Sequence, residues 1–463
     1  MGSALFRRLR PVLTLVLFAL ALSARRAVCQ AGTFDREEFL ARRTRLFEKI
    51  GDGVAVVVGG QEHIYNVRFR QAPDFYYLTG LEEPGLVLLL SGPTRTAMVF
   101  APRGNPLRDD STAASRYGLP IQPLENFFFY FSIASGNESA KKLYLQLTPP
   151  DDQLHARVEV RMLQGAQADN PLLSGESPLA EAHRRLARAA PQLPQADLSP
   201  LLDELRWVKT PYEIARLREA GRIGARAVAE AMRGTRPGMY EYELAAAAQY
   251  VNTRLGARGD GFLPIVPSGP NAPDVHYEKN TRQMKAGELV YMDYGSDYGY
   301  YTSDITRVWP VSGKFTPEQE KLYRCVLEAR DAIIAAMKPG VTLNQLKQAA
   351  LPVYQKYGWL DAYNQSGRYI GHFVGISVHD VGWIAGSWLD RPLVAGVVFN
   401  VEPIIEFADR GIHLRLEDTV LITENGAENL TAGVPAAVER VLALMKERGV
   451  NDAFSPAGAS GTR

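Results

Sequence analysis

Cysteine is almost missing from this chain, with only Cys29 and Cys325 among 463 residues. A disulfide framework is therefore excluded as the basis of the fold, which must rest on a hydrophobic core. An excess of either charge is missing too. The 52 basic and 51 acidic side chains leave a net charge of +1, so the overall balance points to neither nucleic acid nor an anionic membrane surface as partner. The N-terminal apolar run PVLTLVLFALALSA is too short to cross a hydrocarbon layer of ~30 Å. It follows Arg7, Arg8 and Arg10, which is the grammar of a cleaved secretory signal. Residues 1–31 thus read as a signal peptide, cut between Ala24 and Gly32. Export to a periplasm or out of the cell is expected, with no stable membrane span afterwards and no disulfide partner for Cys325.

What the chain does have is material for a core: 46% of its residues are hydrophobic, and its length suits two or three domains. From residue 34 to 195 the runs GVAVVVGG, GLVLLLSG, TAMVFAP and KLYLQL alternate with helical stretches, which predicts an α/β domain. The stretch RAAPQLPQADLSP reads as a linker. A second domain is expected over 201–447, and the small, polar tail 448–463 as flexible. Thr210, Pro211 and Glu213 carry a helix-start signal that Thr316 to Gln319 repeats. The segments AMRGTRPGMYEYELAAAA and AMKPGVTLNQLKQAA share a helix end, a Pro-Gly turn and a leucine seven residues past the proline. The second domain therefore reads as two similar halves, with a site between them.

In the first half, YMDYGSDYGYYTSD (291–304) reads as a hairpin closed by a two-residue turn at Tyr298 and Gly299. That turn would set Asp293 directly opposite Asp304, an unfavourable pairing of like charges. The same half supplies His276. The second half supplies His372 and His379 in GHFVGISVHD, Glu402 in VFNVEP, and Arg415 and Glu417 in HLRLED. Singly, each has an ordinary explanation: a strand aspartate facing solvent, or a histidine satisfied in the core. Together, Asp293, Asp304, Glu402 and Glu417 would be prohibitive in one buried pocket unless cations offset them. Two divalent ions would do so. One imidazole and no thiolate suit manganese, or else cobalt, iron or zinc, in a catalytic rather than a structural role, where paired ions lower the pKa of water and polarise a carbonyl. Arg415 and Glu417, two apart, face the same way on a strand, so the arginine is expected to hold Glu417 ionised. A bend at Gly375 would bring His372 and His379 inward together, the first as a ligand and the second to hydrogen-bond the substrate.

With these residues in hand, the chain resembles the pita-bread metallopeptidases, and within them the aminopeptidase P (Xaa-Pro aminopeptidase) group. The resemblance rests on VYMDYGSDYGYYTSDITRVWPV, GHFVGISVHD, VEP and LRLEDTVLIT, in that order, and on FRQAPDFYYLTGLEEPG upstream. It implies a creatinase-like N-terminal α/β domain followed by a pita-bread catalytic domain with duplicated halves. It further implies Asp293, Asp304, His372, Glu402 and Glu417 as ligands of two divalent metal ions, commonly manganese, with Asp304 and Glu417 bridging. His276, His379 and Arg415 match the active-site positions that are not ligands. The substrates implied are peptides with an Xaa-Pro N-terminus, and a homo-oligomer is compatible with the plan. One departure stands out: Ile404 and Ile405 follow Glu402-Pro403 where the family usually has glycine and then an aromatic residue. The rival readings are an Xaa-Pro dipeptidase (prolidase), which shares the metal site, and a metal-free peptide-binding or chaperone-like module.

Overall fold

The structure is a computed structural model that describes residues 34–61, 68–168, 177–382, 386–407, 410 and 412–454. The expected signal segment lies outside them. No described helix is long and apolar enough to cross a membrane.

The first half of the chain builds a six-stranded mixed sheet in the order β4-β3-β2-β1-β5-β6. Its strands are β1 (Gly53–Val58), β2 (Val87–Ser91), β3 (Thr96–Ala101), β4 (Ile121–Pro123), β5 (Lys142–Leu145) and β6 (Gln195–Asp197). Central strands such as GVAVVV carry apolar side chains in succession because helices and loops cover both faces, and β1 is buried almost throughout. Helices α1 (Arg36–Ile50) and α2 (Pro73–Thr79) pack on this sheet, and their buried aromatic residues share one core cluster with Tyr300 and Tyr301 of the second half. Strand β6 falls inside the stretch read as a linker. It pairs in parallel with β5, and its Asp197 carboxylate accepts the N–H groups of Leu147 and Thr148 at 3.1 and 3.2 Å. The proline-rich segment thus completes the sheet instead of only connecting two bodies. Between β5 and β6 runs helix α3 (Arg157–Ala168), and after β6 comes α4 (Ser199–Trp207).

The second half opens with α5 (Pro211–Met232), whose capping box joins Thr210 and Glu213 as expected. Helix α6 (Glu241–Arg254), β7 (Gly259–Asp260), β8 (Leu289–Tyr294), β9 (Ser296–Tyr298), β10 (Tyr301–Thr302) and β11 (Ile305–Pro310) follow. The pattern then recurs. Helix α7 (Pro317–Ala336) starts on a second capping box between Thr316 and Gln319, and α8 (Leu343–Ala349) comes after it. The strands are then β12 (Val398–Val401), β13 (Ile404–Phe407), β14 (Ile412–Arg415), β15 (Asp418–Thr423) and β16 (Gly426–Asn429). Each half is a long helix, a shorter one and antiparallel strands, and the strands of the two halves meet where Glu417 N–H donates to Thr306 O at 3.1 Å.

The hairpin register differs from the sequence expectation. Tyr301 pairs with Tyr298, and Thr306 with Asp293, so the turn is Gly299–Tyr300 and Asp293 faces Thr306, not Asp304. Both central residues have positive φ, 59° and 72°, the conformation of a type I′ hairpin turn. Tyrosine tolerates it here because the first half of the chain clamps the tip. The Tyr300 ring stacks on Tyr76 at 3.7 Å between centroids, its N–H donates to Asp297 Oδ1 at 3.1 Å, and Arg70 ties Asp297 (2.7 Å) to the Tyr300 and Ile376 carbonyls. At the other end of the chain, residues 450–454, expected within a flexible tail, form a short 3-10 helix. There the Val450 N–H donates to Glu230 at 2.6 Å.

Candidate active site

Asp293 comes from β8, Asp304 from just before β11, His372 from the loop ahead of β12, Glu402 from between β12 and β13, and Glu417 from between β14 and β15. All are buried. Ligand atoms of Asp304, His372 and Glu417 lie within 4.8 Å of one another. His372 Nε2 stands 3.3 Å from Asp304 Oδ2 and 3.9 Å from Glu402 Oε2. Its Nδ1 is 3.1 Å from the Phe373 carbonyl, a bond that puts the proton on Nδ1 and leaves the Nε2 lone pair toward the carboxylates.

Arg415 does something other than the expected support of Glu417. It is the last residue of β14, so Glu417 lies beyond the strand, and the guanidinium forks to Asp293 through Nη2 and to Glu402 through Nη1 at 2.7 Å. Glu417 Oε2 is 3.9 Å from Nε. Glu417 is instead held by Thr306 Oγ1 and Asn400 Nδ2, while Arg415 Nε donates to Thr306 Oγ1 at 3.1 Å. The charges follow this wiring. Burial opposes ionisation of Glu402, but the Arg415 guanidinium, helped by the Tyr369 hydroxyl, holds it below the usual carboxylate range. Asp304 and Glu417 are pushed well above that range by burial and by the neighbouring carboxylates, which outweigh the opposing pull of Arg415.

These residues fit divalent cations. Oδ1 of Asp293 and Oδ1 of Asp304 are buried and find no hydrogen-bond partner among the described residues, and four carboxylates share one guanidinium. A cation placed among them satisfies both orphaned oxygens and removes the repulsion that raises Asp304 and Glu417.

Around the carboxylates lies a cavity of about 640 Å³ lined partly by Phe262, Ile265, Val275, Val378 and Ile404. Ile404 faces this cavity while Ile405, its neighbour on β13, is fully buried in the core. His379 lines the cavity, its ring centroid 4.1 Å from that of His372. The chain doubles back at Gly375, where a Cβ would fall 1.9 Å from Asp380 Oδ2, so glycine lets Asp380 pack against the backbone there. His276 is an exposed residue of the cavity wall and makes no side-chain hydrogen bond to the carboxylate cluster among the described residues.

Four residues of this neighbourhood escaped the sequence reading. Thr306 and Asn400 each sit two positions from a carboxylate, Asp304 and Glu402, and that period-2 spacing was a usable signal. Tyr369, whose hydroxyl donates to Glu402 Oε2 at 2.7 Å, and Glu159, bonded to His379, left no local signal.

Known proteins share this arrangement of sequence and fold. Residues 215–424 match "Metallopeptidase family M24" and residues 39–109 match "Aminopeptidase P, N-terminal domain". The chain is similar to an Xaa-Pro aminopeptidase of Escherichia coli, 34% identical over 89% of this chain and 98% of that one. It is also similar to an Xaa-Pro dipeptidase of Pongo abelii, 27% identical over 90% and 94% of the two chains. The solved proline aminopeptidase P II of Yersinia pestis superposes with a TM-score of 0.72 at 28% identity, covering 89% of this chain and 99% of that one. The chain belongs to metallopeptidase family M24, in its Xaa-Pro aminopeptidase (aminopeptidase P) group.

Proposed function

We propose that Asp293, Asp304, His372, Glu402 and Glu417 hold two divalent ions, manganese first among the candidates, and that His276, His379 and Arg415 serve the reaction without ligating them. The activity is that of a metal-dependent exopeptidase that releases the N-terminal residue from peptides with proline in second position. The observation that carries the reading is the pair of orphaned Oδ1 atoms on Asp293 and Asp304 within a buried, under-neutralised carboxylate cluster. Bound there, divalent ions supply Lewis acidity and lower the pKa of water. The chain's own residues do the rest. Arg415 fixes the orientation of Asp293 and Glu402, Thr306 and Asn400 fix Glu417, and the Phe373 carbonyl fixes the His372 tautomer. His379 hydrogen-bonds the substrate through the ring nitrogen that faces the cavity, accepting from a substrate N–H or taking up a proton, and His276 contacts substrate at the cavity wall.

Substrate choice is tested by offering the manganese-loaded protein a longer Xaa-Pro peptide, an Xaa-Pro dipeptide and a peptide with alanine second. Release of the first residue from the longer Xaa-Pro peptide is expected; cleavage confined to the dipeptide would assign prolidase activity instead. Export is supported by the basic residues and apolar run at the N-terminus. N-terminal sequencing of the mature protein checks it, with a start between Ala24 and Gly32 expected and an intact Met1 contradicting it.

A further inference from the structure

A carboxylate from the first half of the chain reaches into this site. Glu159, in the first turn of α3, lies outside both matched segments, 39–109 and 215–424. Its Oε1 is 2.6 Å from His379 Nδ1, and its Oε2 accepts the Ala156 N–H at 2.7 Å. Glu159 and His379 both line the cavity. The contact is built rather than incidental, because the two segments that carry it are stitched together. The Val378 and His379 N–H groups donate to the Gln153 and Leu154 carbonyls at 2.8 and 3.0 Å, and Gln153 Nε2 donates to the Asp260 and Gly261 carbonyls at 3.1 and 2.9 Å. Beneath them sits a buried ionic cluster. Arg206 binds Asp74, Asp151 and Asp380, the residue after His379, at 2.6 to 2.9 Å. Arg157, two residues before Glu159, binds Asp74 at 2.8 Å, and Lys209 binds Asp380 at 2.8 Å.

An ionised carboxylate only accepts hydrogen bonds, so the nitrogen facing it must carry the proton. With the proton on Nδ1, Nε2 is left as the nitrogen available to the cavity, and it makes no hydrogen bond among the described residues. We propose that Glu159 is a positioning residue for the reaction: it fixes the ring orientation and tautomer of His379 from outside the catalytic segment, so that turnover depends on docking of α3. This rests on the reading of His379 as a group that acts on substrate. The competing explanation is a tie that merely anchors α3.

The test compares wild type, Glu159→Gln, Glu159→Asp, His379→Ala and the double variant Glu159→Gln/His379→Ala, all metal-loaded, on an Xaa-Pro peptide. Glu159→Gln is expected to lower kcat on the order of ten- to a hundredfold, with KM and metal content unchanged and partial recovery in Glu159→Asp. In the His379→Ala background the same substitution should change kcat by less than about twofold, because both act through one ring. In the zinc-loaded, diamagnetic protein, ring-nitrogen NMR should place the His379 proton on Nδ1 and show mixed tautomers in Glu159→Ala. The proposal is overturned if Glu159→Gln keeps wild-type kcat while His379→Ala loses it, if its loss recurs in full without His379, or if Glu159→Ala lowers only the melting temperature and leaves the tautomer unchanged. Full turnover in His379→Ala would overturn the reading of the site itself, and the inference with it.

Discussion

Asp304→Asn removes an oxygen charge from the most crowded part of the site and should change how the metal-free protein responds to pH. In the fold, burial and the carboxylates of Asp293 and Glu402 raise Asp304 well above its ordinary value, whereas in the unfolded chain it ionises near pH ~4. A carboxyl group raised in this way contributes stability that is complete below its unfolded pKa and is lost as pH climbs toward its folded value. Where the unfolded chain has given up the proton and the fold retains it, that loss is about 1.4 kcal/mol per pH unit for each such group. The asparagine cannot ionise. Metal-free Asp304→Asn should therefore lose less stability than metal-free wild type as pH rises above the unfolded value, by at most about 1.4 kcal/mol per pH unit. Carboxylates elsewhere that are held low, such as Asp418 beside Arg307 and Arg330, are common to both proteins and cancel in the difference. The assay is urea unfolding of chelator-treated protein followed by tryptophan fluorescence. Metal loading should reverse the sign for wild type, because cations bind the ionised form. Parallel slopes for the two metal-free proteins would refute the claim that this cluster lacks its counter-charge.

Further expectations attach to single residues. Asp293→Ala and Glu417→Ala should abolish turnover through lost metal, while His379→Ala should keep metal and lose on the order of a hundred- to ten-thousandfold in kcat; metal analysis beside kinetics separates the two. Thr306→Val deletes the hydroxyl that serves both Glu417 and Arg415, and should cost roughly 1–3 kcal/mol of metal-free stability and weaken metal binding, read by urea unfolding and metal titration. Arg206→Met leaves Asp74, Asp151 and Asp380 without their shared buried partner, so a loss of roughly 3–5 kcal/mol should appear as a sharply lower urea midpoint. An unchanged midpoint would mean that the cluster is not a clasp between the halves.

What could be read from the sequence was local. Thr210 with Glu213 and Thr316 with Gln319 cap their helices because a capping box needs only residues within one turn, and both form. The strands around Val54, Leu88 and Val99 were visible as short runs of buried β-branched and aliphatic residues. The carboxylates were visible as charges interrupting apolar strands. What failed depended on distant partners. The hairpin turns at Gly299–Tyr300 because Tyr76 and Arg70, more than 220 residues earlier, clamp its tip. Strand β6 needs β5, some 50 residues away, as the neighbour that makes a proline-rich stretch into a strand. Arg415 turned to Asp293 and Glu402 because β14 ends at its position and pairs it with Ile404, beside Glu402. Glu159 was invisible for the same reason: nothing in its own helix points to His379.

The account turns most directly on metal content. Mature protein reconstituted with manganese, desalted and assayed by elemental mass spectrometry should retain about two ions per chain, with marked loss in Asp304→Asn. A wild-type chain that retains no stoichiometric divalent metal would contradict it.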